Sequence, residues 1–180
     1  MLKHLRSQES LRVLDIGPTS STNINYITSL GHSIYMANLV EDAAKPEWRI
    51  TGDDGAVTFD VDRFLATNLN FSGRNFDIVL LWDTADYLPE PLVAPVFSRI
   101  HKVMEPGGLM VAFFHATTDP STSFVRYHLS DTDVVEMQRA GKYPLEHIYS
   151  NRKIENLLSE FSAYRFFLAK DSLREVIITR

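Results

Sequence analysis

Leu11-Arg12-Val13-Leu14-Asp15-Ile16-Gly17-Pro18 is the stretch on which the fold of this chain turns. Its apolar residues leave the run no solvent face, the pattern of a strand buried on both sides, and Gly17-Pro18 ends it. Ile24, Ile27 and Leu30 then recur at helical spacing, and Gly31 stands where a helix commonly stops. Ser33-Ile34-Tyr35-Met36-Ala37 follows as a second strand. Strand, tight turn, helix, glycine and strand in this compass predict a βαβ unit.

Outward from that unit the alternation continues. Glu41 to Arg63 is polar and turn-rich around Thr51-Gly52-Asp53-Asp54-Gly55, with Val57, Phe59 and Val61 alternating as the expected third strand. Ile78 to Trp82 predicts a buried strand. Val93, Val96, Phe97, Ile100 and Met104 share one face of a helix stopped by Pro106-Gly107-Gly108, and Leu109 to Phe114 forms the next strand. A long segment, 115–150, intervenes before Ile154, Leu157, Leu158 and Phe161 mark a last helix. Tyr164 to Leu168 and Glu175 to Thr179, joined by Ala169-Lys170-Asp171-Ser172, predict a closing hairpin.

The chain's 180 residues, 44% of them hydrophobic, suffice for one core and are few for two, so a single domain over 1–180 is expected. Lys and Arg number 18 against 23 Asp and Glu, a net charge of −5 with no basic stripe, which argues against a nucleic-acid partner and for a small-molecule substrate. The absence of cysteine excludes disulfides, thiolate metal sites and a cysteine nucleophile, and suits a reducing compartment. Met1 to Arg6 lacks a signal-peptide core, and no apolar run approaches the roughly 18 residues that span a bilayer. A cytoplasmic protein without a membrane partner is the expectation. No His, Asp and Glu cluster has metal-binding spacing, so no metal is predicted.

Three segments carry a family resemblance. Leu11 to Gly17 resembles the first motif of class I S-adenosylmethionine-dependent methyltransferases, and Phe76-Asp77-Ile78-Val79-Leu80-Leu81-Trp82-Asp83 resembles their fourth strand. Asp86-Tyr87-Leu88-Pro89, with Arg99-Ile100 and then Val103 to Val111, is similar to the helix-loop-strand segment that follows. The resemblance implies an α/β fold: a doubly wound, mostly parallel seven-stranded sheet with helices on both faces and a C-terminal antiparallel hairpin. It further implies S-adenosyl-L-methionine as cofactor, bound at the carboxyl ends of the strands where strand order reverses.

The implied site residues can be placed one by one. Gly17 lets a ligand approach the backbone, and the helix after it offers unpaired N–H groups to a carboxylate. Asp15 either fixes this turn or faces the ligand's amino group, while Asp77 is expected to be structural. Where the family has two further glycines, this chain runs Pro18-Thr19-Ser20-Ser21-Thr22; Ser20 or Ser21 offers hydroxyl donors or caps the helix, and Thr19 lies beside the ligand. Asn38 aligns with the acid that accepts the ribose hydroxyls, a neutral acceptor in place of a charged one. Glu41 and Asp42 either supply that charge or favour the start of a helix. Asp60, Asp62 and Asn68 are candidates for adenine, each against an exposed turn position. Trp82, Asp83 and Tyr87 fall at the strand end: Asp83 toward the cofactor, Trp82 in the core, Tyr87 beside adenine or substrate.

Methyl transfer needs a base only where the acceptor must lose a proton, and His115 and His128, bounding and inside the 115–150 insertion where the family builds acceptor pockets, are the catalytic candidates. Each is weighed against an ordinary surface histidine. The short stretch before the first strand leaves the pocket open or closed by a partner chain, as in a homodimer. The expected function is methyl transfer to a small-molecule acceptor. The alternative is an inactive, methyltransferase-like binding or scaffold protein, favoured by the Gly17-Pro18-Thr19 run and Asn38. A nicotinamide-dependent oxidoreductase would want a fuller glycine fingerprint.

Overall fold

The structure is a computed structural model that describes residues 2–118, 122–132, 134–168 and 172–180. A short helix α1 (Leu2–Ser7) precedes β1 (Arg12–Ile16), α2 (Ser21–Ser29), β2 (Ser33–Ala37) and α3 (Leu39–Ala43). Then come β3 (Arg49–Thr51), β4 (Val57–Phe59), α4 (Val61–Asn68), β5 (Phe76–Trp82), α5 (Glu90–Val103) and β6 (Met104–His115). The chain closes with β7 (Val125–His128), β8 (Glu136–Arg139), α6 (Asn151–Leu157), β9 (Ala163–Leu168) and β10 (Leu173–Thr179).

The central sheet has the order β2-β1-β5-β6-β10-β9. β2, β1, β5 and β6 run parallel, and β10 pairs antiparallel with both β6 and β9, which makes the sheet mixed. Both faces are covered. On β1 and β5, Leu14, Ile16, Val79 and Leu81 pack toward α3, α4, α5 and α6, while Val13, Ile78, Leu80 and Trp82 pack toward α1 and α2. This period of two in an all-apolar run is why the sequence predicts strands with no solvent face. Local chemistry sets the helix ends: Ser20, Asn38, Asp60 and Ser150 each accept a first-turn backbone N–H, and Gly31, at φ 83, takes the left-handed conformation after α2.

Two expectations are corrected. The sheet has six strands, where seven were expected. The absent one is the expected third strand: Val57 to Phe59 pairs with Arg49 to Thr51 in a hairpin of its own, and Val61 opens α4. The turn decides this. Gly55, at φ 78, donates to Gly52 O at 2.9 Å and Asp54 Oδ1 accepts from Ala56 N at 3.0 Å, so the turn pairs the alternating residues with their immediate neighbours in sequence and not with the central sheet. The last helix ends at Leu157, short of Phe161, and the Ala169-Lys170-Asp171 part of the predicted closing turn lies outside the described residues. Asp77 is structural as expected, accepting Arg12 N at 2.7 Å.

The 115–150 insertion contributes β7 and β8, which pair with each other and bring Tyr127 and Leu129 into the core on the α2 face. Further on, Glu146 N and His147 N donate to Asp86 O at 2.9 and 3.0 Å, carrying the chain across the carboxyl edge of the sheet. This segment therefore covers part of that edge from within the chain. Among the described residues no helix is long and apolar enough to cross a membrane.

Candidate functional site

Register places Asn38 after β2, Gly17 after β1, Asp83 after β5 and His115 at the end of β6 along one edge of the sheet. The connection from β1 leads to one side and that from β5 to the other, so this edge holds the topological switch point.

Over Gly17 the side chains from the α2 face converge. Asp15 and Trp82 point the same way as Val13 and Leu80, and Trp82 Nε1 donates to Asp15 Oδ1 at 2.6 Å. Asn23 Nδ2 donates to the other oxygen at 2.9 Å. Asp15 is buried with both oxygens taken by side chains, so it neither fixes the turn through backbone N–H groups nor has an oxygen free for a ligand. Burial raises its pKa while the Asn23 and Trp82 bonds oppose the rise. A Cβ built on Gly17 would stand 3.2 Å from Trp82 Cδ1, so the close approach that glycine permits is made here by the indole. Trp82 has φ 52, a left-handed conformation that costs a non-glycine residue about 1 kcal/mol or more. Its ring stacks on Tyr127 with centroids 4.9 Å apart and planes 10° from parallel.

The strand that carries Tyr127 is tied to α2. Asn23 Nδ2 also donates to Tyr127 O at 3.0 Å, and Asn23 Oδ1 accepts from Leu129 N at 2.7 Å. Ser20 Oγ caps α2 by accepting Asn23 N and lies 2.8 Å from His128 Nδ1; His128 Nε2 is 3.1 Å from Gln138 Oε1. With Gln138 accepting, His128 carries its proton on Nε2 and accepts from Ser20 through Nδ1. Both candidate roles of Ser20 therefore reduce to capping and holding the hairpin. His128 has both nitrogens occupied. It lines a cavity of about 490 Å³ at the start of α2 with Thr19, Ser21, Thr22 and Arg126.

His115 lies at a second cluster. Asp86 Oδ2 accepts from His115 N at 2.7 Å and sits 2.8 Å from His115 Nδ1. Burial works against a charged His115, but the bond to Asp86 and the charges of Asp86 and Asp83 outweigh it, and its pKa is raised. Asp83 and Asp86 are buried, each with one oxygen that finds no hydrogen-bond partner, Asp83 Oδ2 and Asp86 Oδ1. Burial pushes Asp83 up to about 7, opposed by His115, and raises Asp86 despite its bond to that imidazole. The hydroxyls of Tyr87, Tyr127 and Tyr149 are buried without partners, and burial followed by nearby carboxylates pushes all three up. The phenol of Tyr127 feels the Asp83 carboxylate strongly, yet the two make no hydrogen bond of good geometry. A cavity of about 220 Å³ opens among Asp83, His115, Tyr127, Met137 and Leu173. Unpartnered buried polar atoms are uncommon in native proteins, and the two on residues lining this cavity, Asp83 Oδ2 and Tyr127 Oη, are what a polar ligand or ordered water would satisfy.

The remaining candidates serve locally. Asn38 caps α3 and donates from Nδ2 to Glu41 Oε2 at 2.7 Å, which holds the Glu41 carboxylate at the end of β2. Asp60 caps α4, Asn68 donates to Phe64 O, and Asp62 lines a groove with Arg99 between α4 and α5. The structure thus joins Asp83 with His115, and Thr19 with Ser20 and His128, but separates the two histidines into different cavities. The sequence reading misses Asp86 and Asn23. Asp86 is signalled by the Asp83 and Asp86 pair just past a strand end; nothing in the sequence singles out Asn23.

Comparison with known proteins bears on this edge. The family pattern described as "Methyltransferase domain" matches residues 14–112. The ubiquinone biosynthesis O-methyltransferase of Cereibacter sphaeroides is 29% identical over 106 residues, 57% of this chain and 40% of that protein, so the chain spans well under half of this curated relative. An S-adenosylmethionine-dependent methyltransferase of Mesorhizobium loti superposes with a TM-score of 0.57 at 18% identity, over 99% of this chain and 95% of that one. An S-adenosylmethionine-dependent methyltransferase of Methanosarcina mazei gives 0.55 at 14% identity, over 99% and 96%. At such identities the likeness is one of fold.

Proposed function

The chain belongs to the methyltransferase-domain family, and from that premise we propose that it binds S-adenosylmethionine at the carboxyl edge by Gly17 and methylates a small-molecule acceptor beside Asp83 and His115. The observation that carries the reading is the buried Asp83 carboxylate with an unpartnered oxygen, next to a histidine already oriented by Asp86, at the switch point of the sheet. A strongly perturbed acid lining a cavity at that position marks a functional site better than it marks a packed core.

The residues fit the cofactor by the chemistry of their donors and acceptors. The start of α2, with Thr19 and the N–H groups of its first turn, suits its carboxylate, and Glu41, held by Asn38, supplies the charged acceptor for ribose hydroxyls that Asn38 itself lacks. Asp83 Oδ2 is an acceptor for an ammonium or an acceptor hydroxyl. When bound, the cofactor supplies a methyl group already activated by its sulfonium, so the protein's work is positioning. Asp86 holds the imidazole through Nδ1, which leaves His115 Nε2 to take the proton of a hydroxyl acceptor. Asp86 is a positioning residue. His128, occupied on both nitrogens, is not assigned the base's role.

Trp82 over Gly17 favours one second reading: a chain in which the indole stays there would be a binding or scaffold protein. Calorimetric titration with S-adenosylmethionine and S-adenosylhomocysteine separates the two. Saturable binding of both supports the enzyme; a folded protein that binds neither at about millimolar concentration overturns it.

A further inference from the structure

Building on the methyltransferase reading, we infer that the β7–β8 hairpin is a self-occupying plug whose Tyr127 ring pins Trp82 over Gly17, so that the cofactor enters only when the hairpin withdraws. Three features converge on it. The indole takes the approach that Gly17 offers, with Cδ1 3.2 Å from a Cβ placed there. Tyr127 lies flat against that indole, centroids 4.9 Å apart. The hairpin is held to the start of α2, where an anion would dock, by His128 to Ser20 and by Tyr127 O and Leu129 N to Asn23, with Tyr127 and Leu129 also buried against that face.

Of these contacts the Ser20 and His128 bond lies at the open cavity by the start of α2, where an incoming anion can take it over, whereas the rings behind it are an apolar plug. Trp82 stands in a left-handed backbone conformation that its surroundings impose, the kind of stored strain that concentrates at switch regions. Tyr127 also lines the Asp83 and His115 cavity, so its withdrawal reshapes the acceptor site at the same moment. Cofactor entry and acceptor-site formation are then one event. The closed population weakens apparent cofactor affinity by the fraction of chains that are open.

The test uses the full chain and S-adenosylhomocysteine. Tyr127→Ala removes the ring; Tyr127→Phe keeps it and loses only a hydroxyl that has no partner. Calorimetry should show Tyr127→Ala binding at least about fivefold tighter than wild type and Tyr127→Phe within about twofold of it. Equal or weaker binding by Tyr127→Ala, with wild type still binding, overturns the plug and leaves the function standing. Binding by neither overturns both. Should Tyr127→Ala not fold, Ser20→Cys with His128→Cys replaces it, in a chain with no other cysteine. Oxidation should then abolish S-adenosylhomocysteine binding and reduction restore it, and equal affinity in the two states overturns the plug.

Discussion

His115 Nδ1 lies 2.8 Å from Asp86 Oδ2, and the same oxygen accepts the His115 backbone N–H at 2.7 Å. One carboxylate thus fixes both the ring and the strand end that carries it, in the manner of carboxylates that orient a catalytic imidazole. The pair explains why a half-buried histidine is more basic than usual.

The first prediction removes that carboxylate. In Asp86→Asn the attraction to the imidazolium is lost while burial remains, so the His115 pKa, raised in the wild type, should fall below it and toward or under the ordinary value of about 6.5. Imidazole proton resonances followed against pH report this without any acceptor. An unchanged titration would show that Asp86 does not set the basicity of His115.

A second concerns stability. Asp83 titrates at about 7 in the folded chain and near 3.9 when unfolded, so the folded state holds the extra proton between the two. That contribution is fully present below about pH 4 and is lost as pH rises through about 7, with a slope of up to about 1.4 kcal/mol per pH unit. Asp83→Asn should flatten the fall in stability over this window in urea denaturation. Parallel curves for variant and wild type would contradict the assignment.

Asn23 gives the third. It serves Asp15, Tyr127 O and Leu129 N at once from a buried position. Asn23→Ala strands a buried carboxylate oxygen and a backbone N–H, and should cost about 2 to 4 kcal/mol in denaturant unfolding. A loss under about 1 kcal/mol would mean that water takes over these bonds.

What the sequence yields depends on the range of the interactions involved. β1, β5 and β6 are legible because a strand buried on both faces must be apolar throughout, and α2 and α5 because one helical face must be. Val57 to Phe59 misleads because alternation says nothing about which partner a strand takes, and a tight turn pairs it locally. The places of Gly17, Asp83 and His115 at the strand ends follow from the apolar runs before them. The occupation of Asp15 by Trp82 and Asn23, 67 and 8 residues away, depends on side chains meeting across the fold, which no local pattern encodes.

The fourth prediction uses the Asn38 and Glu41 pair. If Glu41 is the charged acceptor for ribose, Glu41→Gln should weaken S-adenosylhomocysteine binding about fivefold or more, since a charge-assisted bond gains roughly 1 kcal/mol over a neutral one. Asn38→Asp, which would restore the family's acid, places a second carboxylate against Glu41 and should gain affinity only when Glu41→Gln accompanies it. Tighter binding by Asn38→Asp alone would show that Glu41 stands outside the site.

The central claim is that the edge beside Gly17 is a cofactor site, and calorimetric titration of the wild-type chain with S-adenosylhomocysteine tests it most directly. The account predicts saturation at one ligand per chain, with Gly17→Val, confirmed folded by its melting curve, losing about tenfold or more because a branched side chain fills the approach. No heat and no shift in melting temperature with the folded wild type at about millimolar ligand would contradict it, since any ligand bound to the native state alone must raise its stability.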